Sequence, residues 1–105
     1  MLGEFEEKVL LAVLRLDHDA YGRTIRREIA KRTGRKVSIS AVYTTLDRLE
    51  QKGLLRSRLE DPTPQRGGRR KKSFQLEAAG ARELKDAYRS YRNMVQGLEE
   101  QLESR

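Results

Sequence analysis

At 105 residues the chain can hold one core and not two, and with 36% hydrophobic against 37% charged residues that core is small. Lys and Arg number 23 against 16 Asp and Glu, a net charge of +7 that points to a polyanion such as nucleic acid, while no apolar stretch nears the length of a membrane span. The absence of cysteine excludes a disulfide framework and a Cys-based zinc site, and the acidic start from Met1 to Glu7 is unlike a secretory signal, so the expected compartment is the cytoplasm.

The first predicted element is a helix over 4–16. Phe5, Val9, Ala12 and Leu16 form one stripe, and Leu10, Val13 and Leu14 widen it until two neighbours are needed to bury it. Asp17-His18-Asp19-Ala20 breaks this helix, with Asp19 as the expected N-cap of the next. The second helix runs to about Arg32 and stops at Gly34; its sparse apolar positions include Ile25 and Ile29. Its cations Arg23, Arg26, Arg27 and Lys31 suit either phosphate contact or a solvated face paired with Glu28. Tyr21 reads as a core aromatic.

Ser38 caps a third helix that runs to about Lys52 and ends at Gly53, with Ala41, Val42, Leu46 and Leu49 inside. Its other face is short-chained near the start and charged later. A helix that reads the major groove enters by its N-terminal end, where bulky side chains would hold it off. Ser38, Ser40 and Thr44 offer hydrogen bonds there, Tyr43 can reach a phosphate, and Arg48 a phosphate or a guanine. The plainer reading is a solvated face with Ser38 acting only as a cap; the charge of the whole chain favours DNA.

Beyond Gly53 the period changes to two. Leu54 to Glu60 and Arg69 to Leu76 alternate as strands around a loop with two prolines and a glycine pair, which makes a β-hairpin. Arg66-Gly67-Gly68-Arg69-Arg70-Lys71-Lys72 packs five cations into seven residues. Such a cluster repels itself unless a polyanion neutralises it, and Gly68 removes bulk where the loop nears a backbone. Arg66, Gly68, Arg69, Arg70 and Lys71 are therefore expected on DNA, with Arg69 near the tip placed to enter a minor groove.

From Ala78 onward the chain reads as helix to its end. Leu84, Tyr88, Tyr91, Val95, Leu98 and Leu102 follow a 4-3-4-3-4 spacing, the seam of a coiled coil, so a homodimer is expected through this helix with Phe5 of the first helix contributing. The fold class is mainly α with a small β-hairpin. Three helices and a hairpin make a winged helix-turn-helix domain over 1–77, followed by a dimerisation helix over 78–105. His18, alone between two aspartates, lacks the company a metal or catalytic site needs. No phosphate loop, nucleophile elbow or cofactor fingerprint is present, so neither an enzyme nor a cofactor is expected.

Several segments resemble the PadR-like transcriptional regulators, small winged-helix proteins of bacteria. They are Leu2-Gly3-Glu4-Phe5-Glu6, Asp19-Ala20-Tyr21-Gly22, the run from Ser40 to Glu50, and Lys52-Gly53-Leu54. The hairpin adds Pro64, Gly67-Gly68-Arg69, Lys72, Phe74, Leu76 and Gly80. The resemblance implies a dimeric repressor that binds double-stranded DNA and dimerises through its C-terminal helix, in the branch that lacks a larger C-terminal domain. Where the family often has Thr, Glu77 follows Leu76; Glu is the poorer N-cap, so the last helix is expected to start differently or to fray. A small-molecule effector, where one is used, is expected between the first and last helices against Phe5, Tyr88 and Tyr91. Two other readings stay open: a non-specific architectural nucleic-acid binder, and a dimeric protein-interaction module whose wing takes an acidic partner.

Overall fold

The computed structural model describes residues 1–61 and 71–104. Arg66, Gly68, Arg69 and Arg70, expected on DNA, lie outside the described residues. Helix α1 spans Glu4–Leu16, α2 Gly22–Thr33 and α3 Ile39–Gln51; strands β1 (Leu55–Leu59) and β2 (Lys72–Leu76) follow, then α4 (Ala78–Val95) and α5 (Glu99–Glu103). This is the expected winged-helix order.

Local chemistry accounts for most of the boundaries. The Gly3 amide donates to Glu6 Oε1 at 2.8 Å, which closes the start of α1. Glu6 is buried and receives Lys52 Nζ at 2.8 Å from the far end of α3. The Gly3 amide, then Lys52, holds its carboxyl below the ordinary 4.5. Asp19 is not the cap of α2. That helix begins two residues after the expected position, and the Thr24 hydroxyl accepts the Tyr21 amide at 2.9 Å while it donates to the Asp19 carbonyl. Ser38 does cap α3, accepting the Ala41 amide at 3.1 Å. Thr45 is buried in that helix while Ala41, expected inside, is exposed.

The core gathers Val9 and Leu10 of α1, Ile25 of α2, Val42, Leu46 and Leu49 of α3, and Phe74 of β2. The strands are antiparallel, with Leu55 opposite Leu76 and Leu59 opposite Lys72. A single bridge between Tyr21 and Ser73, with the Phe74 amide on the Ala20 carbonyl at 2.9 Å, ties the start of α2 to the hairpin.

The last helix departs from expectation. Glu77 makes no side-chain cap, because its carboxylate is taken by Arg56, yet α4 still begins at Ala78. The helix then stops at Val95. Gln96 is extended (ψ 126°) and Gly97 has φ 89°, a region closed to most side chains, so the continuous helix expected to the end of the chain is broken here. Leu98 becomes the first cap of the short α5 rather than a seam position on α4.

Candidate nucleic-acid interface

The outer stripe of α3 carries Ser40, Tyr43, Thr44 and Arg48, all exposed, while Val42, Leu46 and Leu49 point into the core. Helical spacing puts the four on one face. Ser38 sits at the mouth of this face. Its hydroxyl accepts the Ala41 amide and lies 3.4 Å from Ser40 Oγ, so it is a cap as well as a surface group. Arg48 stands at the opposite end of the helix, where its charge also helps lower the Glu6 carboxyl.

Tyr43 is set by a close approach. A Cβ added to Gly22 would lie 2.5 Å from its ring Cζ, so the hydroxyl end of the ring lies close against the first residue of α2. The residue is still 44% exposed. Only glycine at position 22 leaves room for it, and nothing in the sequence marks that pairing.

Beside the ring, Arg23, Arg26, Arg27, Ser38 and Tyr43 line an open concavity of about 650 Å³. The cations of α2 divide into two groups. Glu28 takes Arg32 and lies 3.9 Å from Arg15, and the Arg32 guanidinium holds its carboxyl below the ordinary value. Arg23, Arg26 and Arg27 are exposed and face the start of α3, with Arg26 on the Val37 carbonyl at 3.4 Å. Those three are not the ones that pair with Glu28.

Of the expected wing residues, Lys71 is described. Its ammonium lies 4.6 Å from the centre of the Tyr21 ring, and the Tyr21 hydroxyl donates to Glu60 Oε1 at 2.9 Å. Tyr21 thus sits at the base of the hairpin rather than in the core; a contact spanning 39 residues leaves no trace in local sequence.

The expected dimer residues fall into two sets. Leu84 is buried in the chain's own core and Phe5 packs against it. Tyr88, Tyr91, Leu98 and Leu102 are 61%, 67%, 46% and 61% exposed, with Val95 between them. On α1, Leu11 and Leu14 are exposed and line a groove of about 420 Å³ with Ile29 of α2; Leu14, expected in the buried stripe, faces outward here. Phe5 lines a smaller groove with Val37 and Ala41, while Tyr88 and Tyr91 stand out on the arm. His18 is a surface residue 3.3 Å from Asp17. Among the described residues no cluster could hold a metal ion, and no helix is long and apolar enough to cross a membrane.

The model of the transcriptional regulator PadR-like family matches residues 10–86. No curated protein matches the chain. Among solved structures, a PadR family transcriptional regulator from Eggerthella lenta is similar at 25% identity with a TM-score of 0.69, covering 92% of this chain and 82% of that one. A PadR family transcription regulator from Clostridium difficile is similar at 23% identity and TM-score 0.67, over 91% and 97% of the two chains. F93 from STIV, a winged-helix DNA-binding protein, is similar at 20% identity and TM-score 0.67, over 92% and 98%. The last two likenesses show the fold.

Proposed function

Because the chain belongs to the PadR-like family of transcriptional regulators, winged-helix DNA-binding proteins rather than enzymes, we propose that it is a homodimeric repressor that occupies a roughly palindromic operator. In this reading α3 sets sequence preference and the hairpin sets affinity. The observation that carries it is the exposed stripe Ser40, Tyr43, Thr44 and Arg48, flanked by the open concavity of Arg23, Arg26 and Arg27. Short hydrogen-bonding groups face outward where base edges would lie, and cations stand on the next helix where phosphates would lie.

The dimer is supported by Tyr88, Tyr91, Leu98 and Leu102, whose rings and branches face water on an arm that the core does not cover. Leu11 and Leu14 of α1 extend the same apolar character to the domain. A two-fold pair would present two reading helices, which is why the operator is expected to be palindromic. Repression follows from occlusion of a promoter and rests on the likeness to the family. An effector, where one is used, would sit among the apolar surfaces that the dimer brings together, and the cytoplasm is the compartment such a regulator works in.

The test compares two variants on the DNA upstream of the chain's own gene and on random duplex, at matched salt. Changing Ser40 and Thr44 to Ala should leave random-DNA binding nearly intact and cost about 1–3 kcal/mol on the operator for each base that is no longer read. Changing Arg69, Arg70 and Lys71 to Ala should weaken binding to both and flatten the salt dependence by roughly 0.9 of a log-log unit for each phosphate no longer neutralised. If the hairpin variant loses the operator-to-random ratio while the α3 variant keeps it, the division of labour is wrong. If the wild type shows no ratio at all, the protein is a non-specific binder.

A further inference from the structure

Gly22, the first residue of α2, is buried, and the far end of a side chain from α3 rests on it. A Cβ at position 22 would meet Tyr43 Cζ at 2.5 Å, and Cε1 and the hydroxyl oxygen at 2.6 Å. The Tyr43 ring therefore leans from α3 toward α2. There it lines the same open concavity as Arg23, Arg26 and Arg27. Among the described residues no hydrogen bond fixes its hydroxyl, so the ring is held by shape, and 44% of the residue still meets water. Ser40 and Thr44, exposed on the same stripe of α3, are too short to lean across in this way.

We propose that Gly22 is a positioning residue for DNA binding: its lack of a side chain seats the Tyr43 hydroxyl beside the α2 arginines, so that Tyr43 serves the DNA backbone and not the bases. The inference rests on reading that concavity as the face turned to phosphates. A phosphate oxygen accepts from a hydroxyl as well as from a guanidinium, and such contacts fix register without reading sequence. The hydroxyl is neutral, so it adds affinity without releasing a counterion. A methyl group at position 22 overlaps the ring and makes it move. The atoms it meets are the free end of a flexible side chain, so the ring can swing into water at small cost to the fold. What is lost is the place of the hydroxyl. Gly22 acts through Tyr43.

The test measures the full chain on random-sequence duplex and on the DNA upstream of its own gene, across a salt series. Tyr43→Phe keeps the ring on its seat and removes only the hydroxyl. It is expected to weaken binding to both DNAs about tenfold for each half-site, the change that follows from one hydrogen bond to a charged acceptor. Because no charge is removed, the lines of log K against log salt should drop in parallel, with the slope and the operator-to-random ratio unchanged. Gly22→Ala should reproduce this drop. In a Tyr43→Ala background Gly22→Ala should cost less than about twofold, because the ring it acts through is gone. A Gly22 that matters only for packing would lower the melting temperature of Gly22→Ala and leave the affinity of the folded protein unchanged; that result overturns the proposal. So does a Tyr43→Phe variant that loses the operator-to-random ratio, since the hydroxyl would then be reading a base. Arg23→Ala with Arg27→Ala separates the two levels, and should lower the salt slope by about 0.9 for each phosphate no longer neutralised. If that variant binds like the wild type, the reading of the concavity fails and takes this proposal with it. If it loses affinity while Tyr43→Phe and Gly22→Ala do not, only the roles of Gly22 and Tyr43 fail.

Discussion

Replacement of Tyr91 by Ala tests the dimer at the residue where the single chain offers least cover. Tyr91 is 67% exposed on α4, beyond the point where Leu84 last reaches the core. A tyrosine carries about 150–250 Å² to bury, so roughly 100–170 Å² of this one still faces water. If association covers half of that, about 70 Å² at ~25 cal/mol per Å² gives ~1.7 kcal/mol for each protomer. The residue occurs twice in a dimer, so the loss is roughly 3.4 kcal/mol, about a 300-fold rise in the dissociation constant. Sedimentation equilibrium over a micromolar concentration series measures this directly. The variant should keep the helix content of the wild type at concentrations where it is monomeric, because Tyr91 is no part of the protomer's core. A wild type that sediments as a monomer at micromolar concentration refutes the reasoning, as does a Tyr91→Ala dimer of unchanged strength. Glu at both 91 and 98 should act more severely, since it places charge where the proposed contact is apolar.

Three further outcomes follow from other contacts. Gly22→Ala should drive the Tyr43 ring off α2; because that ring is already half in water, stability should fall by less than about 1.5 kcal/mol while operator affinity drops, and Gly22→Ala with Tyr43→Ala should recover the melting temperature but not the binding. Ser38→Ala should cost about 1 kcal/mol of unfolding free energy in denaturant titration, because the Ala41 amide then has no cap. The buried Glu6 has a folded-state pKa below its unfolded one, so its contribution is present above the ordinary 4.5 and is lost as pH falls through the lower folded value. Thermal melts should therefore show the wild type's advantage over Glu6→Gln steady at neutral pH and shrinking under acid; an advantage that grows under acid would reverse the sign.

What could be read from sequence was local. The main stripe of α1, the Ser38 cap and the stops at Gly34 and Gly53 each depend on residues within a turn or two and took the expected places, although Leu14, read into that stripe, faces outward; the two strands formed over shorter spans than the alternation suggested. The family segments were equally visible as short runs. The break at Gly97 was hidden because the 4-3-4-3-4 spacing passes straight through it: periodicity counts side chains and is blind to a backbone that turns between them. Asp19 had the chemistry of a cap, but Thr24 won it by bonding both the Tyr21 amide and the Asp19 carbonyl. The site was half legible. Residue type pointed to the outer face of α3, whereas the seat of Tyr43 on Gly22 and the tie from Tyr21 to Glu60 join positions that only the fold brings together.

The arm also has a consequence for dosage. The described residues have a radius of gyration of 15.6 Å and extend 53 Å along their longest axis, against roughly 13 Å expected for a compact domain of this length. The excess is α4 beyond Leu84 together with α5, helix without a floor beneath it. On the proposed reading a second copy supplies that floor, so the form that binds an operator is made by a collision of two identical chains. In the dilute regime its amount then varies with the square of the cell's content of this protein, and halving synthesis leaves a quarter of the dimers. A promoter under such control would respond more steeply to the regulator's own expression than one read by a monomer, with the gain set by how tightly two arms close on each other.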